Sequence, residues 1–410
     1  MKEKKKMSLA MQIFIALVLA IIAGLLMQSH ASFAESYIKP FGTIFLNLIK
    51  FIVVPIVLFS IMCGIISMSD IKKVGSIGLK TVVFYLCTTA FAVTIGLTGG
   101  NLFKGLFPVV ATTDLSYEAA EATSFMDTLV NIFPSNFVSP MVEANMLQVI
   151  VMAIILGFAI ILVGEKNVRV VNAFNDLNKI FMKCMEMILK LSPIGVFCLL
   201  CPVIAANGPA IIGSLAMVLL AAYICYVVHA VVVYSLTVGT LGGVSPLKFF
   251  KGMLPAIMFA FSSASSVGTL PINLECTEKL GAKREIASFV LPLGATINMD
   301  GTAIYQGVCA IFIASCYGIH LTLSQMLTIV LTATLASIGT AGVPGAGMVM
   351  LAMVLTSVGL PVDGIALVAG VDRIFDMGRT TVNITGDAAC TMVVSNLEAK
   401  KDARRAKAGK

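Results

Sequence analysis

The chain has 410 residues, 58% of them apolar and only 12% charged, with a mean hydropathy of +0.99. Globular domains carry about 25% charged residues, so this composition excludes a water-soluble globular chain and points to an all-α protein that crosses a bilayer repeatedly. The net charge of +7 gathers at Lys2, Lys4, Lys5 and Lys6 and at Lys400, Lys401, Arg404, Arg405, Lys407 and Lys410. Basic flanks mark the cytoplasmic side of membrane helices, so this is an orientation signal and no nucleic-acid partner is expected.

Apolar runs are predicted near 8–28, 41–68, 78–107, 142–164, 172–205 and 208–240. The first is long for a signal-peptide core and lacks an A-x-A-like cleavage site. Basic residues track the inner side: Lys72, Lys73 and Lys80 after the second run, Lys166 and Arg169 after the fourth, Lys248 and Lys251 after the sixth. The segment 108–123 carries Asp114, Glu118 and Glu121 and no Lys or Arg, which places it outside. Both termini are then cytoplasmic. In the third run Tyr85, Thr88 and Thr89 share one helical face, a spacing that helix packing explains equally well.

Two mixed zones follow. The zone 246–280 begins and ends among basic residues and turns on Ser262-Ser263-Ala264-Ser265-Ser266-Val267-Gly268-Thr269-Leu270-Pro271. It reads as a re-entrant helical hairpin. A run at 285–317 contains the polar break Asn298-Met299-Asp300-Gly301-Thr302. The zone 322–356 turns on the Gly- and Pro-punctuated segment 337–347 and reads as a second hairpin, entering from the opposite side. The last run, 361–397, contains a second break, Asn383-Ile384-Thr385-Gly386-Asp387. Two units of hairpin plus polar helix in opposite orientations form the inverted-repeat pattern of secondary transporters.

That last run carries Asp372, Arg373, Asp376, Arg379 and Asp387 where a membrane helix should carry no charge. Asp372, Asp376, Arg379, Thr380, Asn383 and Asp387 recur at helical spacing in one stripe, with Ile374, Phe375, Met377 and Val382 opposite. A charge at bilayer depth costs on the order of 3 kcal/mol or more, so such a stripe faces a cavity and works there. Arg379 and Arg373 can clamp a carboxylate and Asp376 an ammonium; an internal Asp376–Arg379 ion pair is compatible with the same spacing. Asp300 and Asp387, beside Asn and Gly, suit hard cations such as Na⁺, or a proton. The serines of the first hairpin, with half-helix N-termini, suit an anionic carboxylate. Ten scattered cysteines, three histidines and the absence of a Walker motif predict neither a transition-metal site nor ATP-driven transport, and no enzyme is expected.

Four strings resemble the dicarboxylate/amino acid:cation symporter family, the glutamate/aspartate transporters: S-S-A-S-S-V-G-T-L-P at 262–271, N-M-D-G-T-A-I-Y-Q at 298–306, S-I-G-T-A-G-V-P-G-A-G at 337–347 and D-M-G-R-T-T-V-N-I-T-G-D at 376–387. The resemblance implies eight transmembrane helices, two re-entrant hairpins and a homotrimer in the cell inner membrane. It implies scaffold helices 1–2 in 1–77 and 4–5 in 108–206. The transport domain would comprise helix 3 in 78–107 and 207–397, with hairpins at 246–280 and 322–356 and helices at 285–317 and 361–397, moving as an elevator. The stretch 398–410 would be a basic cytoplasmic tail.

Carried over residue by residue, the resemblance makes Asp376, Arg379, Thr380 and Asn383 substrate contacts. Ser265, Ser266, Gly342 and Val343 become a cradle for the α-carboxylate, with Thr302 and Arg373 nearby. Several Na⁺ ions are implied. Gly294, Asn298, Asn383 and Asp387 match one site; Thr296, Ser337, Ile338 and Thr340 a second; Tyr85, Thr88, Thr89, Asn298 and Asp300 a third, with Met299 a further Na⁺ contact. Proton-coupled members resemble S-S-S-E at the first hairpin tip, whereas this chain has Ala264-Ser265-Ser266-Val267, which favours Na⁺. Archaeal aspartate transporters carry an arginine in that hairpin; here Arg373 offers the charge from the last helix. The expected activity is Na⁺-coupled import of glutamate or aspartate. A proton-coupled C4-dicarboxylate or neutral amino acid symporter is the alternative.

Overall fold

A computed structural model describes residues 9–67, 76–107, 130, 133–143, 145–164, 168–208, 210–337, 346–369 and 371–408. Every regular element among them is helical. Helices α1 (Leu9–Leu26) and α2 (Lys39–Ser67) are joined by short helical turns rather than an extended loop, and the axis swings by 74° between Ile15–Leu26 and Gln28–Phe45. Helices α3 (Ser76–Phe103) and α4 (Met146–Gly164) follow the expected runs. The run expected at 172–205 is instead two helices, α5 (Val168–Leu189) and α6 (Ser192–Asn207), bent by 50°. Pro193 supplies the cause: it has no N–H to donate, and its ring would clash with a helical carbonyl four residues back. Helix α5 also exposes Arg169, Asp176, Lys179, Lys183 and Glu186, so it is amphipathic rather than apolar all round.

Helix α7 (Ala210–His229) runs on through two π turns, Ala230–Tyr234 and Val238–Gly242. Helices α8 (Pro246–Ser263) and α9 (Ser266–Lys279) fold back on each other as the first hairpin. Ala264 reverses the chain with a left-handed φ of +49°, which costs an L-residue about 1–2 kcal/mol. Ser265 then caps α9, its Oγ accepting from the Gly268 N–H at 3.1 Å. Helices α10 (Arg284–Ile297) and α11 (Asp300–Cys316) are separated at Asn298-Met299, the break anticipated from sequence. Helices α12 (Leu323–Ala336) and α13 (Ala346–Ser357) contact each other as the arms of the second hairpin. Its tip, with the expected site residues Ile338, Thr340, Gly342 and Val343, lies outside the described residues. After α14 (Ile365–Ala369) comes α15 (Asp372–Ala408). The expected tail from 398 is, as far as Ala408, the continuation of this helix.

The helices pack in two groups. Helix α1 lies on α6, and α2 on α4, α5 and α6. Helix α15 is enclosed by α7, α8, α9, α10 and α11, while α3 packs on α7, α11 and α12. The groups meet where α13 touches α2 and α4, and where α14 touches α6. All of α11 is buried, so its apolar surface meets protein. At the far end of α15, the Glu398 carboxylate accepts from Ser76 and from Lys80, both at 2.5 Å. Lys283 reaches Asp402 at 3.0 Å. These contacts fasten the end of α15 to the starts of α3 and α10. Among the described residues, three helices are long and apolar enough to span a bilayer, or five if each bent pair is one span.

Candidate functional site

The charged stripe of α15 is a buried wall. Asp372, Asp376, Arg379, Thr380, Asn383 and Asp387 are all buried, Arg379 to 1% exposure. The apolar side is enclosed too: Phe375 and Val382 are buried, and of the four residues named opposite the stripe only Ile374 is exposed. Arg379 forms a two-pronged bond with Asp372, Nη1 to Oδ1 at 3.0 Å and Nη2 to Oδ2 at 3.3 Å. The same Nη2 lies 2.9 Å from Asp376 Oδ1. The pair anticipated from sequence is present, but the forked partner is Asp372, two turns back, to which sequence reasoning gave no role. The spacing of seven residues puts it on the same helix face. The Tyr305 ring lies under the guanidinium, 4.5 Å from Cζ to the centroid. Arg373 flanks Asp376 from the other side at 3.6 Å, and its Nη2 donates to the Ser263 carbonyl at 3.1 Å. That bond ties the first hairpin's tip, with Ser265 and the buried Ser266, to the charged wall.

Gly347, at the start of α13, faces Arg379 so closely that a Cβ there would overlap the guanidinium. Gly347→Ala should therefore weaken binding of an acidic ligand about tenfold, the cost of displacing a charge-assisted hydrogen bond. A titration of labelled aspartate against the purified variant checks this.

The second half of the site is built around the break between α10 and α11. Gly301 N–H, in the buried first turn of α11, donates to Asn383 Oδ1 at 2.8 Å. Gly301 has no room for a Cβ against the Arg379 backbone, which explains the glycine in N-M-D-G. Asn383 Nδ2 lies 3.4 Å from Met299 Sδ. Asn298 Nδ2 donates to the Asn383 carbonyl and to Asp387 Oδ1, both at 2.9 Å, and its own Oδ1 is buried without a hydrogen-bond partner. Gly294 lies where any Cβ would overlap Asp387 and Tyr85. From α3, Thr89 Oγ1 donates to Asp300 Oδ1 at 2.7 Å, and Tyr85 OH reaches the Val290 carbonyl at 3.3 Å.

Asp300 has two further partners that sequence reasoning missed. Tyr234 OH donates to its Oδ2 at 2.8 Å, and His229 Nε2 lies 3.2 Å from the same oxygen. Three successive carbonyls of α15 each accept a side chain from a different element: Val382 from Tyr234 at 3.2 Å, Asn383 from Asn298 and Ile384 from Asn273 of the first hairpin at 3.0 Å.

The structure does not draw every expected residue into this network. Thr88, Thr296 and Ser337 give their hydroxyls to carbonyls three residues back in their own helices. Thr302 Oγ1 faces Met299 Sδ at 3.8 Å. Among the described residues no group of three or more His, Cys, Asp or Glu side chains could hold a metal ion. Beside Asp387 and Asp300 lie amide, hydroxyl and carbonyl oxygens, hard ligands that suit an alkali cation, together with the His229 imidazole on Asp300 Oδ2.

This pairing of a buried arginine–carboxylate wall with an oxygen-lined helix break has relatives. The family model described as the sodium:dicarboxylate symporter family matches residues 9–397. The chain belongs to that family. A proton/sodium-glutamate symport protein of Geobacillus stearothermophilus is 34% identical over 98% of this chain and 97% of its own length. A proton/glutamate-aspartate symporter of Escherichia coli (strain K12) is 36% identical over 98% and 95%. A C4-dicarboxylate transport protein of Rhizobium leguminosarum is 32% identical over 98% and 92%. The protein is thus a membrane symporter and not an enzyme, and it handles a small-molecule substrate within the lipid of the cell membrane. The four strings read from the sequence lie within the matched region, and three of them carry the buried contacts just described.

Proposed function

We propose that this symporter imports glutamate or aspartate together with several Na⁺ ions. The observation that carries the reading is Arg379, buried and held between Asp372 and Asp376. Its ion pairs occupy at most three of the five guanidinium N–H groups, and the side bearing Gly347 has no side chain in the way. A substrate side-chain carboxylate binds there, and Asp376 takes the substrate ammonium. Thr380, Asn383, Thr302, the hairpin serines Ser265 and Ser266, and Gly342 and Val343 complete the contacts. Asp387, Asn298, Gly294 and Asn383 hold one Na⁺. Asp300, Thr89, Thr88 and Tyr85 hold another. Met299, Thr296, Ser337, Ile338 and Thr340 form a third site beneath the outer hairpin.

The two packing groups support a division into scaffold and transport domains. Helices α1, α2, α4, α5 and α6 form the scaffold of a homotrimer. The helices around α15 slide across the bilayer as an elevator, in an arrangement of eight spanning helices and two re-entrant hairpins with both termini cytoplasmic. Binding of ions and substrate is linked, so each raises the affinity of the other by the same factor. The resemblance to C4-dicarboxylate carriers supports a second reading, in which the substrate lacks an ammonium and protons drive uptake.

Uptake of labelled aspartate, glutamate and succinate into proteoliposomes separates the two. An inward Na⁺ gradient is expected to drive the amino acids. Uptake of succinate on an H⁺ gradient with choline replacing Na⁺ would establish the second reading instead.

A further inference from the structure

Helix α7 contributes no residue to the symport chemistry described so far, yet two of its side chains meet at the Asp300 carboxylate. His229 and Tyr234 are both fully buried. In a regular α-helix residues five apart point about 140° away from each other. The π turn at Ala230–Tyr234 narrows that divergence, because its i→i+5 bonding puts more residues into each turn. The two rings therefore stack edge to face on one side of the helix, their centroids 4.8 Å apart at 85°. Both polar ends reach Asp300 Oδ2, at 2.8 and 3.2 Å, while Oδ1 is left to Thr89 of α3. His229 Nδ1 has no hydrogen-bond partner, so the ring's polar contact in the described structure is with Asp300.

We propose that His229 and Tyr234 are positioning residues for cation coupling. By occupying Oδ2 they fix the rotation of the Asp300 carboxylate and turn Oδ1, with Thr89, toward the cation. The π turn is the device that brings them into register. The inference rests on the reading of Asp300 as a Na⁺ ligand, and it adds that α7 sets the affinity of that ligand for the ion without touching it.

The test measures the Na⁺ concentration that half-saturates binding of labelled aspartate to the purified full-length protein, alongside aspartate Kd at saturating Na⁺. Tyr234→Phe and His229→Ala are each expected to raise the Na⁺ midpoint about tenfold, as loss of a hydrogen bond to a charged group does, with little change in the saturated Kd. His229→Gln, which restores a neutral N–H donor, should recover most of the loss; a ring needed only for packing would not be rescued this way. Tyr234→Phe keeps the ring and serves if His229→Ala does not fold. Asp300→Asn distinguishes the two layers. If it shifts the Na⁺ midpoint while Tyr234→Phe and His229→Gln both behave as the parent and His229→Ala is either neutral or unfolded, the positioning role is overturned. If Asp300→Asn leaves the midpoint in place, the assignment of Asp300 as a cation ligand falls, and the positioning role with it.

Discussion

Replacing Arg379 with cysteine is expected to lower aspartate and glutamate affinity by at least about 30-fold, since truncating one member of a buried, hydrogen-bonded charge pair costs about 2–5 kcal/mol. The structure shows why the effect should be large. The guanidinium is the shared partner of Asp372 and Asp376, and Arg373 approaches only the second of them, at 3.6 Å. Without Arg379 the acidic substrate would enter a wall holding two carboxylates and a single arginine, so like-charge repulsion adds to the lost bond. A neutral amino acid meets no such repulsion, and Arg379→Cys should bind alanine or serine in preference to aspartate. Arg379→Lys is no substitute, because a point charge cannot reproduce the fork to Asp372. Competition binding with labelled aspartate checks the result. Unchanged glutamate affinity in Arg379→Cys would falsify the assignment of this residue to the substrate.

Asp387→Asn is the second large effect. The substitution keeps the volume and the acceptor for Asn298 Nδ2, so the local packing against Gly294 and Tyr85 should survive. What it removes is the formal charge of the carboxylate that Asn298 Nδ2 binds. Loss of one full ligand charge from a partly desolvated cation site should move the Na⁺ midpoint upward by tenfold or more, about 1.4 kcal/mol at the least. Aspartate binding at low Na⁺ then disappears and returns at high Na⁺. An unmoved midpoint would remove Asp387 from the ion ligands.

Much of this site was legible because membrane charges are costly and therefore sparse. Four charges at helical spacing picked out the wall of α15, and the Asn and Gly residues beside Asp300 and Asp387 picked out the oxygen-lined break. The missed partners share a physical reason. Asp372 lay in the stripe, but nothing in a one-dimensional pattern says whether Arg379 will fork to a carboxylate three or seven residues back. His229 and Tyr234 lay in an apolar run where a π turn, invisible to a 3.6-residue period, set their direction. Tyr305 and Gly347 reach Arg379 from other helices, and tertiary contacts of that kind leave no local signature. The fold was less legible at its bends. The 50° bend before α6 falls within a stretch read as one continuous apolar run. Pro193 was available as a signal and was outweighed by the hydropathy around it.

The order in which the wall is made has a consequence for biogenesis. Helix α15 carries charges that an isolated segment could not place in lipid without a penalty of several kcal/mol. The elements that enclose it, α7 to α11, and the α3 side chain that bonds Asp300 all emerge earlier from the ribosome. A nascent chain therefore has a finished receptor waiting when α15 arrives, and α15 enters as a plug into protein rather than as a probe of the bilayer. Lesions in Gly301 or Gly294, which make that receptor fit, would then show first as chains retained by the insertion machinery and degraded, before any transport defect could be measured.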